Sequence, residues 1–142
     1  MRKQRHPPEL IDLTEGGEMQ KKRIVFVEDD RLLSSEVCQS IEEYGYTVDP
    51  FYSGSSAIEA ISGRDYITAL VTDIDLGPGV DGFQIAAQAR ARYPHLPIVF
   101  ASGTHGAQHI SYGVRGSVFV AKPYHPDQIV HALQEVIRLE AA

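Results

Sequence analysis

Apolar and polar positions alternate along this chain in two rhythms. Short unbroken apolar runs, rich in β-branched residues, are each followed by a stretch with apolar residues three and four positions apart. An apolar run of about 4–8 residues bounded by turn signals reads as a strand buried on both faces, and the three-four spacing reads as an amphipathic helix. Ile24-Val25-Phe26-Val27 is the first such strand and stops at Glu28-Asp29-Asp30. Leu32, Leu33, Val37 and Ile41 then predict one face of a first helix, with Gly45 as its stop. Tyr46-Thr47-Val48 opens a second strand running towards Phe51. Residues 53–61 predict a second helix with Ala57, Ile58 and Ile61 inward and Gly54 out of place in its first turn.

The third strand, Ala69-Leu70-Val71-Thr72-Asp73, ends in a carboxylate followed at once by a loop containing Gly77, Pro78 and Gly79. Residues 83–92 predict a helix with Ile85, Ala86 and Ala89 inward, ended by Pro94. Residues 97–101 are a fourth strand followed by Ser102-Gly103, and Val118-Phe119-Val120-Ala121 is a fifth, closed by Lys122-Pro123. Between them, residues 108–112 read as one or two helical turns. A last helix starts near Pro126, with Ile129, Leu133, Val136 and Ile137 as its inner stripe.

A strand-helix unit repeated in this way predicts a parallel sheet with helices on both faces. Residues 1–21 read as an N-terminal extension without stable structure of its own, since Leu10, Ile11 and Leu13 give it little to bury. Residues 22–142 read as one domain.

Composition narrows the function classes. With 43% hydrophobic and 23% charged residues, the chain is an ordinary globular protein. A net charge of −6 argues against nonspecific binding to nucleic acid or to an anionic membrane. No segment approaches the roughly 18 uninterrupted apolar residues of a membrane span, and the N-terminus has no secretory apolar core. The one cysteine, Cys38, excludes an internal disulfide and suits a reducing compartment, so a cytoplasmic location is expected. The histidines show no metal-ligand spacing.

The candidate chemistry lies where the strands end. Strand one ends in Glu28-Asp29, strand three in Asp73, strand four in Ser102 and strand five in Lys122. Parallel strands put all these ends on one edge, the edge where ligands bind in open α/β sheets. Carboxylates crowded together repel unless a cation intervenes, and a hard oxygen cluster with water access suits Mg²⁺ or a similar ion such as Mn²⁺. A carboxylate can attack phosphorus. Lys122 supplies a charge for a phosphoryl oxygen and Ser102 a hydroxyl donor. Asp73 is therefore the candidate nucleophile.

These stretches carry a family resemblance. Ile24-Val25-Phe26-Val27-Glu28-Asp29-Asp30, Val71-Thr72-Asp73 with Asp81-Gly82, Pro97-Ile98-Val99-Phe100-Ala101-Ser102-Gly103 and Phe119-Val120-Ala121-Lys122-Pro123-Tyr124 resemble the receiver domain of two-component response regulators. The resemblance implies a doubly wound (βα)5 flavodoxin-like fold with strand order 2-1-3-4-5. It implies that Asp73 is the phosphoacceptor and that Glu28, Asp29, Asp73 and the backbone carbonyl of Asp75 hold Mg²⁺. It implies that Lys122 contacts the phosphoryl group and that Ser102 and Phe119 switch conformation with it. The donor would be a phosphohistidine on a histidine kinase or phosphotransfer protein, and the output a protein target. The domain would transfer phosphoryl only to and from itself, not as a turnover enzyme.

Three features depart from the family pattern. Gly77-Pro78-Gly79 lengthens the loop after Asp73 by one residue. Asp75 adds a carboxylate that either faces the site or faces solvent. The segment between Gly103 and Val118 is short and glycine-rich. Because the sequence stops after the last helix, a stand-alone regulator without an output domain is expected, with a receiver excised from a hybrid histidine kinase as the alternative. Asp73-Ile74-Asp75 also resembles the Asp-x-Asp of haloacid-dehalogenase phosphatases. That family carries its motif on the first strand, and Glu28-Asp29 has no role in it.

Overall fold

The computed structural model describes residues 11–13, 19–103 and 114–141. In chain order the elements are β1 (Ile11–Leu13), β2 (Met19–Lys21), β3 (Arg23–Val27), α1 (Arg31–Glu42), β4 (Thr47–Phe51), α2 (Gly54–Ser62), β5 (Ala69–Asp73), α3 (Gly82–Arg92), β6 (Ile98–Ser102), β7 (Val118–Ala121) and α4 (Pro126–Ala141). Five strands form one parallel sheet in the order β4-β3-β5-β6-β7, which is 2-1-3-4-5 when its own strands are counted. The helical reading of residues 108–112 falls outside the described residues.

The apolar runs of β3, β5 and β6 are buried on both faces because these strands sit in the middle of the sheet. Two packed layers result. On one side α1 and α4 cover the sheet, with Val37, Ile41, Ile129 and Leu133 against Ile24, Phe26 and Val71. On the other, α2 and α3 press Ala57, Ile61, Ile85 and Ala89 against Val25, Leu70, Ile98 and Phe100.

The inner stripe of α1 needs one correction. Leu32 is 73% exposed, and Ser34 is buried in its place. Leu33, Val37 and Ile41 follow each other at i, i+4 and i+8, and Ser34 fills the i+3 spacing; Leu32 lies about 140° from the middle of that line. Asp30 fixes where the helix begins by accepting from the backbone of Leu32 and Leu33 at 3.0 and 3.1 Å.

Gly54, out of place by propensity, has a steric reason. A Cβ there would lie 2.6 Å from the carbonyl oxygen of Val80. The start of α2 is therefore packed directly on the loop that follows β5. At the open side of β4, Thr47 N–H donates inward to Lys22 O and Phe51 O accepts from Glu28 N–H. Strand alternation then turns Val48 and Pro50 toward the unpaired edge, a position that suits proline. Ahead of the sheet, β1 and β2 pair antiparallel as a separate two-stranded ribbon within the segment read as an extension.

Candidate phosphoacceptor site

The site begins with register. Val27 pairs with Thr72, Asp73 with Ala101 and Ser102 with Ala121, so the four strand ends finish level. One residue past β3 and at the last residue of β5, the chain presents Glu28 and Asp73. Both are buried, at 1% and 4% exposure, while Asp29 between α1 and the solvent is exposed. One carboxylate oxygen from each of Glu28, Asp29 and Asp73 lies within 4.8 Å of the others.

Lys122, one residue past β7, closes the group. Its Nζ donates to Glu28 Oε1 at 3.0 Å and to Asp73 Oδ2 at 3.2 Å. The second oxygen of Glu28 accepts from the Asp30 backbone N–H at 3.0 Å. Burial raises the pKa of Glu28 and the Asp73 charge adds to that, against the pull of the Asp30 amide and of Lys122. Burial likewise raises Asp73, with Asp29 adding to it and Lys122 and a hydrogen bond from the Asp75 backbone opposing it. Burial works against the charge of Lys122, but its hydrogen bond to Glu28 and the neighbouring carboxylates outweigh burial and raise its pKa. One ammonium among three carboxylates leaves the site short of positive charge.

The turn after Asp73 is held by close backbone approach. Gly82 N–H donates to Ile74 O at 2.8 Å, and a Cβ on Gly82 would lie 2.3 Å from Asp73 O. Asp81 caps α3 in a reciprocal box with Gln84. The longer loop is thus pinned at its far end, and it turns the Asp75 side chain outward, where it is exposed. Asp75 is not among the carboxylates gathered around Asp73.

Ser102 ends β6 and is buried. It stands two residues beyond Phe100, which pairs in register with Phe119, so Ser102, Phe100 and Phe119 share the α2/α3 face of the sheet. Phe119 is half-buried in that layer, and Phe100 packs on Phe83 with ring centroids 5.2 Å apart. The fold therefore gathers Glu28, Asp29, Asp73 and Lys122 into one cluster, with Ser102 on the neighbouring strand tip and Phe119 further down the same face as Ser102.

Two residues beside the cluster were quoted in the sequence but given no role there. Asp30 both caps α1 and holds Glu28; an Asp just before a helical pattern is the signal that marks it. Tyr124 places its hydroxyl out of water with no hydrogen-bond partner among the described residues. Burial, then the charges of Glu28, Asp73 and Asp30, raise its pKa. With Asp30, Leu33, Lys122 and Pro123 it lines a cavity of about 360 Å³.

The donor set fits a hard divalent cation. It is all oxygen, it carries excess negative charge, and the exposed Asp29 leaves water access.

Comparison with known proteins agrees with this geometry. The model of the response regulator receiver domain family matches residues 24–134. The chain is 29% identical over 124 residues to the transcriptional regulatory protein TcrA of Mycobacterium tuberculosis, covering 86% of this chain and 48% of that protein. It is 30% identical over 118 residues to the response regulator receiver protein CpdR of Brucella abortus, covering 82% of this chain and 97% of that one. The crystal structure of a response regulator receiver protein from Sinorhizobium medicae superposes with a TM-score of 0.80 at 29% identity, over 84% of this chain and 96% of that one. The chain spans about half the length of several curated relatives it matches, TcrA among them. Carboxylates gathered at the C-terminal edge of a 2-1-3-4-5 sheet, a lysine from the last strand beside them, and a family match across most of the chain lead to one assignment: this protein belongs to the response regulator receiver domain family.

Proposed function

We propose that this domain accepts a phosphoryl group on Asp73 from a phosphohistidine of a histidine kinase or phosphotransfer protein. One carboxylate oxygen of Asp73 attacks phosphorus, a new P–O bond forms, and the P–N bond to imidazole breaks. The electron pair of that bond leaves with the imidazole nitrogen, which takes up a proton. The observation that carries this reading is the convergence of Glu28, Asp29 and Asp73 with the Lys122 ammonium at one strand edge.

Glu28, Asp29, Asp73 and the Asp75 carbonyl would hold Mg²⁺, or Mn²⁺ in its place. The ion would supply charge neutralisation to the phosphoryl oxygens. Lys122, already bonded to Asp73, holds a positive charge where the transferred oxygens arrive. Output follows from charge. The acyl phosphate adds about −1.5 to −2 at the strand edge. Ser102 turns toward it and Phe119 turns in behind, biasing an existing equilibrium. The changed face then meets a protein target, in the cytoplasm; among the described residues no helix is long and apolar enough to cross a membrane.

Incubation with acetyl phosphate or phosphoramidate and Mg²⁺ tests the proposal. Intact mass should rise by one phosphoryl group, and Asp73→Asn should remove the gain. Equal labelling of Asp73→Asn, or no labelling of the wild type, overturns it.

A further inference from the structure

We propose that the domain carries a second ligand site, at the sheet edge opposite Asp73, for a small organic anion with an apolar body. A cavity of about 510 Å³ lies there, between the end of α3, the approach to β6 and the last turns of α4. That size falls in the range of about 300–1,000 Å³ typical of small-molecule sites.

Two guanidinium groups line it, in a chain whose net charge is −6. Arg90 is anchored through its Nε–H, which donates to Leu96 O at 2.8 Å. Its Nη2 lies 3.8 Å from where a Cβ on Gly116 would stand, so the turn carrying Arg115 and Gly116 closes over it. Among the described residues, neither the Nη groups of Arg90 nor the guanidinium of Arg115 has a hydrogen-bond acceptor or an ion-pair partner. Burial and the repulsion of Arg115 lower the pKa of Arg90, against the pull of Glu140. Glu140, the one acid on the wall, sits nearest His95, with Oε2 3.7 Å from Nδ1. Two guanidinium groups with open donors, Arg90 half-buried and Arg115 exposed, are built to take a phosphate or carboxylate in forked hydrogen bonds.

The rest of the wall is apolar. Pro97, Val136 and Leu139 face the cavity, and Leu139 is one of the two large hydrophobic side chains exposed among the described residues, at 52%. An inorganic anion leaves that surface wet. An anionic head on an aromatic or aliphatic body covers it.

The test is a ¹⁵N NMR titration of the full chain, without Mg²⁺, with phenyl phosphate, benzoate and inorganic phosphate as probes. Saturable shifts should centre on Leu96, Gly116 and Leu139, with inorganic phosphate at least about tenfold weaker than the better aromatic probe. The tighter of phenyl phosphate and benzoate identifies the head group, and either result supports the site. Arg115→Gln, which removes no hydrogen bond among the described residues, should weaken binding about tenfold while leaving distant signals in place. Asp73→Asn should bind as the wild type does, which separates this site from the phosphoacceptor. Absence of saturable shifts around Gly116, or unchanged affinity in both Arg115→Gln and Arg90→Gln, overturns the proposal.

Discussion

The ammonium of Lys122 donates to Glu28 Oε1 at 3.0 Å, across 94 positions of sequence. Glu28 is 1% exposed, and a carboxylate that deep takes up a proton unless a counter-charge meets it. The lysine just past the last strand of the sheet therefore favours the charged form of the carboxylate just past the first, against burial.

Lys122→Met keeps the aliphatic stem and removes that charge. At neutral pH it should destabilise the fold by about 2 kcal/mol. Glu28 and Asp73 already have raised pKa values, so the folded state binds protons that the unfolded chain has released above the ordinary values of 4.5 and 3.8. Their cost is absent below those values, grows as pH rises, and is complete above the folded-state pKa values. Without Lys122 that cost is larger, so the deficit should shrink on acidification toward pH 4.5. Urea unfolding of both proteins at mildly acidic and neutral pH checks this; an identical deficit at both would refute it.

Added Mg²⁺ should stabilise the folded domain. A ligand at a hundredfold its Kd contributes about 2.7 kcal/mol, or several degrees of Tm for a chain of this size. Asp29→Asn removes an exposed carboxylate of the cluster without disturbing the core, and should lose most of the gain. Thermal melts with Mg²⁺ and with EDTA measure it, and an undiminished shift in Asp29→Asn would exclude the cluster as the metal site.

Gly82→Ala should cost about 1–3 kcal/mol, because the new methyl meets the Asp73–Ile74 peptide, Asp73 O at 2.3 Å and Ile74 Cα at 2.7 Å. Gly63→Ala is the control, with no atom nearer than 3.7 Å, and should be close to neutral. If denaturation midpoints of the two variants coincide, the contact between the start of α3 and the end of β5 is slack.

Tyr124→Phe deletes a hydroxyl that has no partner among the described residues. An unsatisfied buried polar group costs about 1–3 kcal/mol, so the variant should be more stable, by about 1 kcal/mol. A loss of stability in the same unfolding assay would mean that the hydroxyl is solvated in solution.

Most of the architecture was written in the apolar runs, since β3, β5 and β6 are buried on both faces and show no alternation to confuse them with edge strands. The same parallel geometry made Glu28, Asp29, Asp73 and Lys122 readable as one group, because strand ends in a parallel sheet finish together. Details set by tertiary contact were not readable. Leu32 looks like a core residue until Ser34, in line with Val37 and Ile41, is seen to take the inward place. Gly54 looks like a helix defect until Val80 is seen against it. The pairing of Ile11–Leu13 with Met19–Lys21 involves strands too short to leave a hydropathy rhythm. The partnership of Lys122 with Glu28 depends on how far each side chain reaches, which spacing along the chain does not encode.

Pro50 turns a missing amide outward on the flank of β4. A stray chain trying to zip onto that flank meets a gap in the donor ladder, and a β-bridge extended past it loses a rung. The molecule is thereby discouraged from stacking with its own copies at high concentration, and Pro50→Val would lift that safeguard while leaving the acidic cluster untouched.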